Sequence, residues 1–397
     1  MLDGLKVVEL ATYIAAPGAG GVLADWGAEV IKVEPPAGDP IRSFFDSIGR
    51  DMGSNPVFEM DNRGKRGIAI DIGKPEGRAA LVKLIAGADI FLTNSRPGSL
   101  KRAGLDYDAL KAANPRLIYA SVTGYGLEGP EADRAGFDIA AYWSRSGVAG
   151  LTTPKGMEPF PIRTAMGDHI TSMATVSAIL AAVVERSRTG VGRLVETSLL
   201  RTGVYSVASD MAIQLRFGRV ASNRVRKDAV NPIANFFKTK EGRWICLVPR
   251  QGNADWRALC QAIGRPELIE DARFAKARDR GANVTALVEA LDDAFAMLSF
   301  DAVAEALDTV DFVWSPVQSA AEVAADPQAE AAGCFVQTPD GQGGHFRAPA
   351  APARFPGVDT SPKSAAPSVG QHTDAVLAEA GYSTEAIAAL RSQGAIA

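Results

Sequence analysis

Residues 6–34 read KVVELATYIAAPGAGGVLADWGAEVIKVE. Lys6 to Leu10 is a short apolar run, followed by a small-residue turn, Ala15-Ala16-Pro17-Gly18. A helix is predicted from about Gly18 to Trp26, and Glu29 to Val33 forms the next strand. The same alternation continues outward. Gly67–Asp71 reads as a strand, and Pro75 opens a helix to about Ile85, because a first-turn N–H has no helical partner to lose. Asp89–Thr93 and Arg116–Val122 add two more strands. Strands alternating with helices imply right-handed crossovers and a mostly parallel, doubly wound sheet. Such sheets bind ligands at the carboxyl ends of their strands.

From Phe137 to Leu200 the pattern turns helical. A short helix is expected over Asp138–Arg145 and a long apolar one over Asp168–Arg188, then a strand at Leu194–Leu199. Gly218–Asn231 is polar and basic and reads as a linker. A smaller unit begins with a hairpin from Asn235 to Leu247 around Glu241-Gly242, followed by helices near 253–263, 283–297 and 300–308. Ser315-Pro316 starts a second crossing. Phe346–Val358 holds three prolines and is expected to be extended. The tail Thr373–Ala397 makes two short helices around Gly381.

At roughly 100–200 residues per domain, 397 residues predict two or three domains. The formal net charge of −4 argues against a nucleic-acid partner, which needs a basic face. Cys246, Cys260 and Cys334 are far apart and odd in number, so neither a disulfide framework nor a zinc site is expected. A reducing, cytoplasmic setting fits them. The N-terminal MLDGLKVVEL lacks a signal-peptide pattern. No uncharged apolar run reaches the ~18 residues of a membrane span; the nearest, Met173–Val184, reads as a buried helix.

Three histidines exist, His169, His345 and His372, and no GxSxG elbow, so no Ser-His-Asp triad can be built. Gly18-Ala19-Gly20-Gly21 sits where a dinucleotide fingerprint would, but its spacing is not GxGxxG. Gly124-Tyr125-Gly126 ends a strand, as a turn alone or as one that faces a ligand. Asn94-Ser95-Arg96-Pro97-Gly98-Ser99-Leu100-Lys101-Arg102 brings Arg96, Lys101 and Arg102 to a strand-to-helix junction, where cations and a helix start suit phosphates. A solvated basic helix start is the plainer reading. Asp168 lies in Met166-Gly167-Asp168-His169 ahead of the most apolar helix. It can serve as an N-cap or as a carboxylate nucleophile, with Gly167 letting a bulky substrate close in. The two roles are compatible.

At these residues the chain resembles the class III CoA-transferases, the CaiB–BaiF family. The likeness runs nearly end to end: LDGLKVVEL with AAPGAGGVLADWGAEVIKVEPPAGDPIR, NRGKRGIAIDIGKPEGRAAL, NSRPGSLKRAGLDYDALKAANPRLIYASVTGYGLEGP, GFDIAAYWSRSG, AMGDH, RTGVGRLVETSLL, EGRWICL and VGQHTDAVLAEAGYSTEAIAALRSQG. The resemblance implies an α/β fold: a Rossmann-like large domain plus a smaller α+β domain, in an interlocked homodimer. Residues 1–217 would form the large CoA-binding domain, 218–232 a linker and 233–325 the small domain. Residues 326–397 would return to complete the large one. It further implies that Asp168 is the nucleophile and that Ala15, Ile70, Asp71, Asn94, Arg96 and Arg102 lie along CoA. Phe137, Tyr142, Trp143 and Gly167 would line the substrate pocket; core packing is the alternative for the two middle aromatics. Acyl-CoA and a small carboxylic acid would be the substrates, with no permanently bound cofactor, metal, nucleic acid or membrane partner.

Three departures stand out. Residues 218–232 hold no glycine-rich flap of the kind some relatives close over their intermediates. A CoA-binding lysine of some members falls on Ala135, and an arginine after the IKVE strand falls on Pro35. The family's other branch, the 2-methylacyl-CoA racemases, needs a histidine in a GHD motif that here reads Gly136-Phe137-Asp138, and a phenylalanine cannot carry a proton. The transferase reading is therefore preferred over racemase and over a non-catalytic acyl-CoA-binding homologue.

Overall fold

The computed structural model describes residues 1–44, 54–250 and 252–397. Six strands form one sheet: β1 (Lys6–Leu10), β2 (Glu29–Glu34), β3 (Arg66–Ala69), β4 (Ile90–Thr93), β5 (Ile118–Thr123) and β6 (Leu194–Ser198). All pairings are parallel and the order is β3-β2-β1-β4-β5-β6. Both faces are covered, which is why these strands read as nearly continuous apolar runs. On one face Val8, Leu10, Ile31, Val33 and Phe91 pack with residues of α3 (Pro75–Ala86), α5 (Tyr107–Ala113) and the tail helices. On the other, Val7, Val30, Ile90 and Leu92 pack under α1 (Ala15–Asp25) and α6 (Met166–Thr189).

Helix α1 starts at Ala15, so Ala15-Ala16-Pro17-Gly18 is its first turn rather than a separate turn. Pro17 sits where its missing N–H costs nothing. The glycines that follow serve packing. A Cβ on Gly20 would meet Glu9 Oε2 at 1.9 Å, and one on Gly21 would meet the Asp61 carbonyl at 2.8 Å. Helix α2 (Pro56–Asn62), which carries Asp61, can therefore press directly on α1.

Helix α6 has 24 residues and by length and composition alone could cross a membrane. In the fold its inner face, including Thr175, Val176, Ile179 and Ala182, is buried, and it packs on α1, β5 and β6.

By its contacts the chain separates into two compact units. One comprises 1–150, 160–219 and 328–397; the other comprises 151–159 and 220–327. The second unit holds the predicted hairpin, β7 (Asn235–Lys238) and β8 (Trp244–Leu247), with β9 (Trp314–Pro316) beside it, over a core that includes Phe237, Trp256 and Phe295. Residues 151–159 join it through Asn223, whose Nδ2 donates to the Thr152 carbonyl at 2.7 Å and whose carbonyl accepts from Lys155 N–H at 3.0 Å. In the first unit the tail reaches the far edge of the sheet. Ile396 bridges antiparallel to Ile70, Asp71 N–H donates to the Ala395 carbonyl at 2.9 Å, and Ala395 and Ile396 are buried.

Candidate active site

Strand order reverses between β1 and β4, which opens a crevice at their carboxyl ends. Asn94 stitches its two lips together. Thr12 N–H donates to Asn94 Oδ1 at 3.0 Å, and Asn94 Nδ2 donates to the Thr12 carbonyl at 2.7 Å. The crevice holds two adjoining spaces. The inner cavity, about 80 Å³, is walled by Ile14, Ala15, Val122, Leu199 and Asp168. The outer cleft, about 430 Å³, is lined by Ser95, Arg96, Ser99 and Arg134. Tyr13, Asn94, Gly124, Gly136 and Phe137 border both. Gly124 and Gly136 touch: a Cβ on either would lie under 3 Å from the other's Cα. The Gly124 turn therefore does face the crevice.

Asp168 is the third residue of α6 and is not its cap. The residue before the helix is Ala165, in the left-handed region at φ +73°, and no side chain caps there in the ordinary way. Asp138 takes that part from a distance: Gly167 N–H donates to its Oδ2 at 3.2 Å. This packing by itself requires a glycine at 167. A Cβ on it would lie 2.3 Å from Tyr142 Cγ and 2.4 Å from Asp138 Oδ1.

Asp138 is 4% exposed, and its Oδ1 has no hydrogen-bond partner among the described residues. Burial pushes its carboxyl above the usual range, against the N–H groups of Gly167, Ala165 and Asp168. Burial, then the Asp138 charge, raises the Asp168 carboxyl from 3.8 to about 7; His169 opposes the rise and Asp61 adds to it. A carboxylate so destabilised is a stronger base and nucleophile than one in water.

His169 is turned elsewhere. Its Nε2 lies 3.1 Å from Asp61 Oδ1. With Asp61 it lines a separate cleft of about 580 Å³ between α1, α6 and residues 349–352, which Asp168 does not line. Burial would lower the imidazole pKa, but the Asp61 and Asp168 carboxylates outweigh it and hold it above the ordinary value.

The other predicted residues divide. Ala15, Asn94, Arg96 and Phe137 meet at the crevice with Asp168. Ile70 and Asp71 do not. They follow β3 at the sheet edge, where Ile70 is a core residue and Asp71 Oδ1 accepts from Gly73 N–H at 2.8 Å. Arg102 is at the far end of α4 (Pro97–Ala103), bonded to Ser99 Oγ at 3.0 Å, and with Lys101 it lines neither space. Tyr142 and Trp143 are core rather than pocket wall. Tyr142 Oη bonds Ser206 Oγ at 3.0 Å, and Trp143 Nε1 donates to the Phe160 carbonyl at 2.8 Å. The sequence reading missed Asp138, Tyr13 and Arg134. Arg134 supplies a second cation to the outer cleft, five residues after Gly129 in the turn that follows β5.

The family model described as CoA-transferase family III matches residues 2–373. The (R)-2-hydroxy-4-methylpentanoate CoA-transferase of Clostridioides difficile is 35% identical, over 98% of this chain and 97% of its own. The succinate–glutarate CoA-transferase of Agrobacterium fabrum is 32% identical, over 95% of each. A CaiB/BaiF family protein from Brucella suis superposes with a TM-score of 0.84 at 33% identity, over 96% of this chain and 99% of that one. With a doubly wound sheet, a carboxylate at its switch point and these likenesses along almost the whole length, the chain belongs to family III of the CoA-transferases.

Proposed function

We propose that this CoA-transferase moves CoA from an acyl-CoA thioester to a small free carboxylic acid through covalent intermediates on Asp168. The observation that carries the reading is Asp168 itself, an ionisable carboxyl raised to about 7 on the wall of the inner cavity. Its oxygen attacks the thioester carbonyl, the C–S bond breaks, and CoA leaves as thiolate from a mixed anhydride. The thiolate then attacks the aspartyl carbonyl, the anhydride C–O bond breaks, and the donor acid departs as carboxylate. The acceptor carboxylate attacks the resulting aspartyl-CoA thioester and expels CoA thiolate again. That thiolate attacks the acceptor's acyl carbonyl and frees the Asp168 carboxylate. No net proton is consumed, and one hard exchange becomes several easier covalent steps.

Each attack places negative charge on a carbonyl oxygen. Asp138 occupies the Gly167 amide, so donors are better sought at the start of α1, which has no side-chain cap and begins at Ala15 on the cavity wall. Arg96 and Arg134 would hold the phosphate end of CoA in the outer cleft.

Racemisation is disfavoured because Phe137 stands in the histidine's place and the His169 ring lies against Asp61 in another cleft. Deuterium uptake from heavy water into a 2-methylacyl-CoA, lost in Asp168→Ala, would reverse this assignment.

We also propose a homodimer in a reducing, cytoplasmic setting. The helix α8 (Ala208–Phe217), which follows α7 (Leu199–Ser206), has no buried residue and exposes Leu215 and Phe217, a surface suited to a second copy. The three cysteines are all free thiols.

Hydroxylamine with acyl-CoA tests the mechanism: the wild type should be trapped and inactivated as the Asp168 hydroxamate. Turnover of Asp168→Ala within about tenfold of wild type would overturn it.

A further inference from the structure

We propose that Tyr13 and Phe137 form a gate that keeps water from the Asp168 cavity, with Asp39 as the positioning residue that holds Tyr13 in place. The proposal rests on Asp168 being the nucleophile.

The two rings stand edge to face, their centroids 5.4 Å apart at 89°. Both residues border the inner cavity and the outer cleft, whereas Asp168 lines only the inner one. A thioester arriving from the outer cleft crosses a border that these two rings help to form. Phe137 is 59% exposed, so its ring stands at the border of the two spaces and not in a core.

Tyr13 has φ +63°, a left-handed conformation that a bulky side chain adopts only when its surroundings impose it. The imposing groups are visible. Tyr13 N–H donates to Asp39 Oδ1 at 3.1 Å, and Ile41 N–H donates to the same oxygen at 3.1 Å. Asp39 Oδ2 accepts from Lys32 Nζ at 2.9 Å. Lys32 also donates to the Ala11 carbonyl at 3.2 Å, two residues before Tyr13. Asp39 and Lys32 are both buried, so this clamp is shielded from competing water. A glycine would reach φ +63° without a clamp, whereas the tyrosine is held there by this one.

The chemistry supplies the need. Water attacking the aspartyl-CoA carbonyl would add its oxygen there and break the C–S bond, one of its protons passing to the departing thiolate and the other to solvent. Free CoA thiol and the Asp168 carboxylate would result, and the thioester's free energy would be lost. Excluding water suppresses this side reaction.

The test compares CoA thiol release from acyl-CoA without acceptor against transfer with acceptor. In Tyr13→Ala and Phe137→Ala the ratio of hydrolysis to transfer should rise about tenfold or more, with a smaller change in KM for acyl-CoA. Tyr13→Phe keeps the ring and should keep the wild-type ratio. Asp39→Ala should raise the ratio as Tyr13→Ala does, and the double variant should be no worse than either single one, because both act through one ring. An unchanged ratio in both Tyr13→Ala and Phe137→Ala, with transfer still abolished by Asp168→Ala, overturns the gate alone. Retained transfer in Asp168→Ala overturns the nucleophile assignment and the gate with it.

Discussion

Replacing Asp138 by Asn removes one charge while leaving an oxygen to accept from Gly167 N–H. Raising a carboxyl from 3.8 to about 7, as for Asp168, means that ionising it in the cavity costs about 4 kcal/mol more than in water. Asp168 is then about half ionised at pH 7, about a tenth at pH 6 and about nine-tenths at pH 8. If the carboxylate is the attacking form, kcat/KM for acyl-CoA falls about fivefold from pH 7 to pH 6. Burial is the larger cause of the raised value and the Asp138 charge the next, so Asp138→Asn should move the acid limb to lower pH without abolishing it. Because a less basic carboxylate is a weaker nucleophile, the plateau above pH 8 should drop at the same time. The assay is the initial rate of acyl transfer from pH 5 to 9, with Asp168→Asn as the blank. An acid limb that stays in place or moves upward would refute the electrostatic coupling of the two carboxyls.

Three further outcomes are expected. Asp168→Asn should stabilise the fold above pH 7 by about 1–3 kcal/mol, because a carboxyl whose pKa rises on folding resists ionisation. That gain should shrink as pH falls from about 7 toward 4, which thermal melts across pH would show. Arg96→Ala and Arg134→Ala should each raise KM for acyl-CoA about three- to tenfold with kcat nearly unchanged, and Arg102→Ala should do less; equal effects at all three would place the phosphates differently. Gly167→Ala should cost about 1–3 kcal/mol of stability, since its methyl collides with Tyr142, and a neutral urea midpoint would contradict that packing.

The sheet was legible because parallel strands buried on both faces leave apolar runs such as Val7-Val8 and Ile90-Phe91-Leu92 that need no tertiary information to recognise. The start of α1 was less so: Pro-Gly normally marks a turn, and only the placement of Pro17 in a first turn makes the pair compatible with helix. Asp168 could be singled out from its position, but its cap could not. Asp138 stands 29 residues before Gly167, and nothing local in Gly-Phe-Asp announces that the two will meet. The fold divides the basic cluster. Arg96 precedes α4 and faces the crevice, while helical rise carries Lys101 and Arg102 to the other end of that seven-residue helix. Tyr142 and Trp143 show the same limit: aromatic residues beside a functional motif fill a core or a pocket with one composition, and only three dimensions decide between them.

The antiparallel bridge between Ile70 and Ile396 has a bearing on the order in which the chain is assembled. The edge strand β3 emerges early in synthesis, yet the residues that cover its carboxyl end arrive more than three hundred positions later. Residues 220–327, most of the second compact unit, are made in between. During synthesis the growing chain must therefore carry an unfinished sheet edge while the inserted unit matures, and contacts this distant in sequence form slowly. A change that ties down the residues around Ile396 would act on a contact that completes this sheet edge, and would show itself first as slowed maturation.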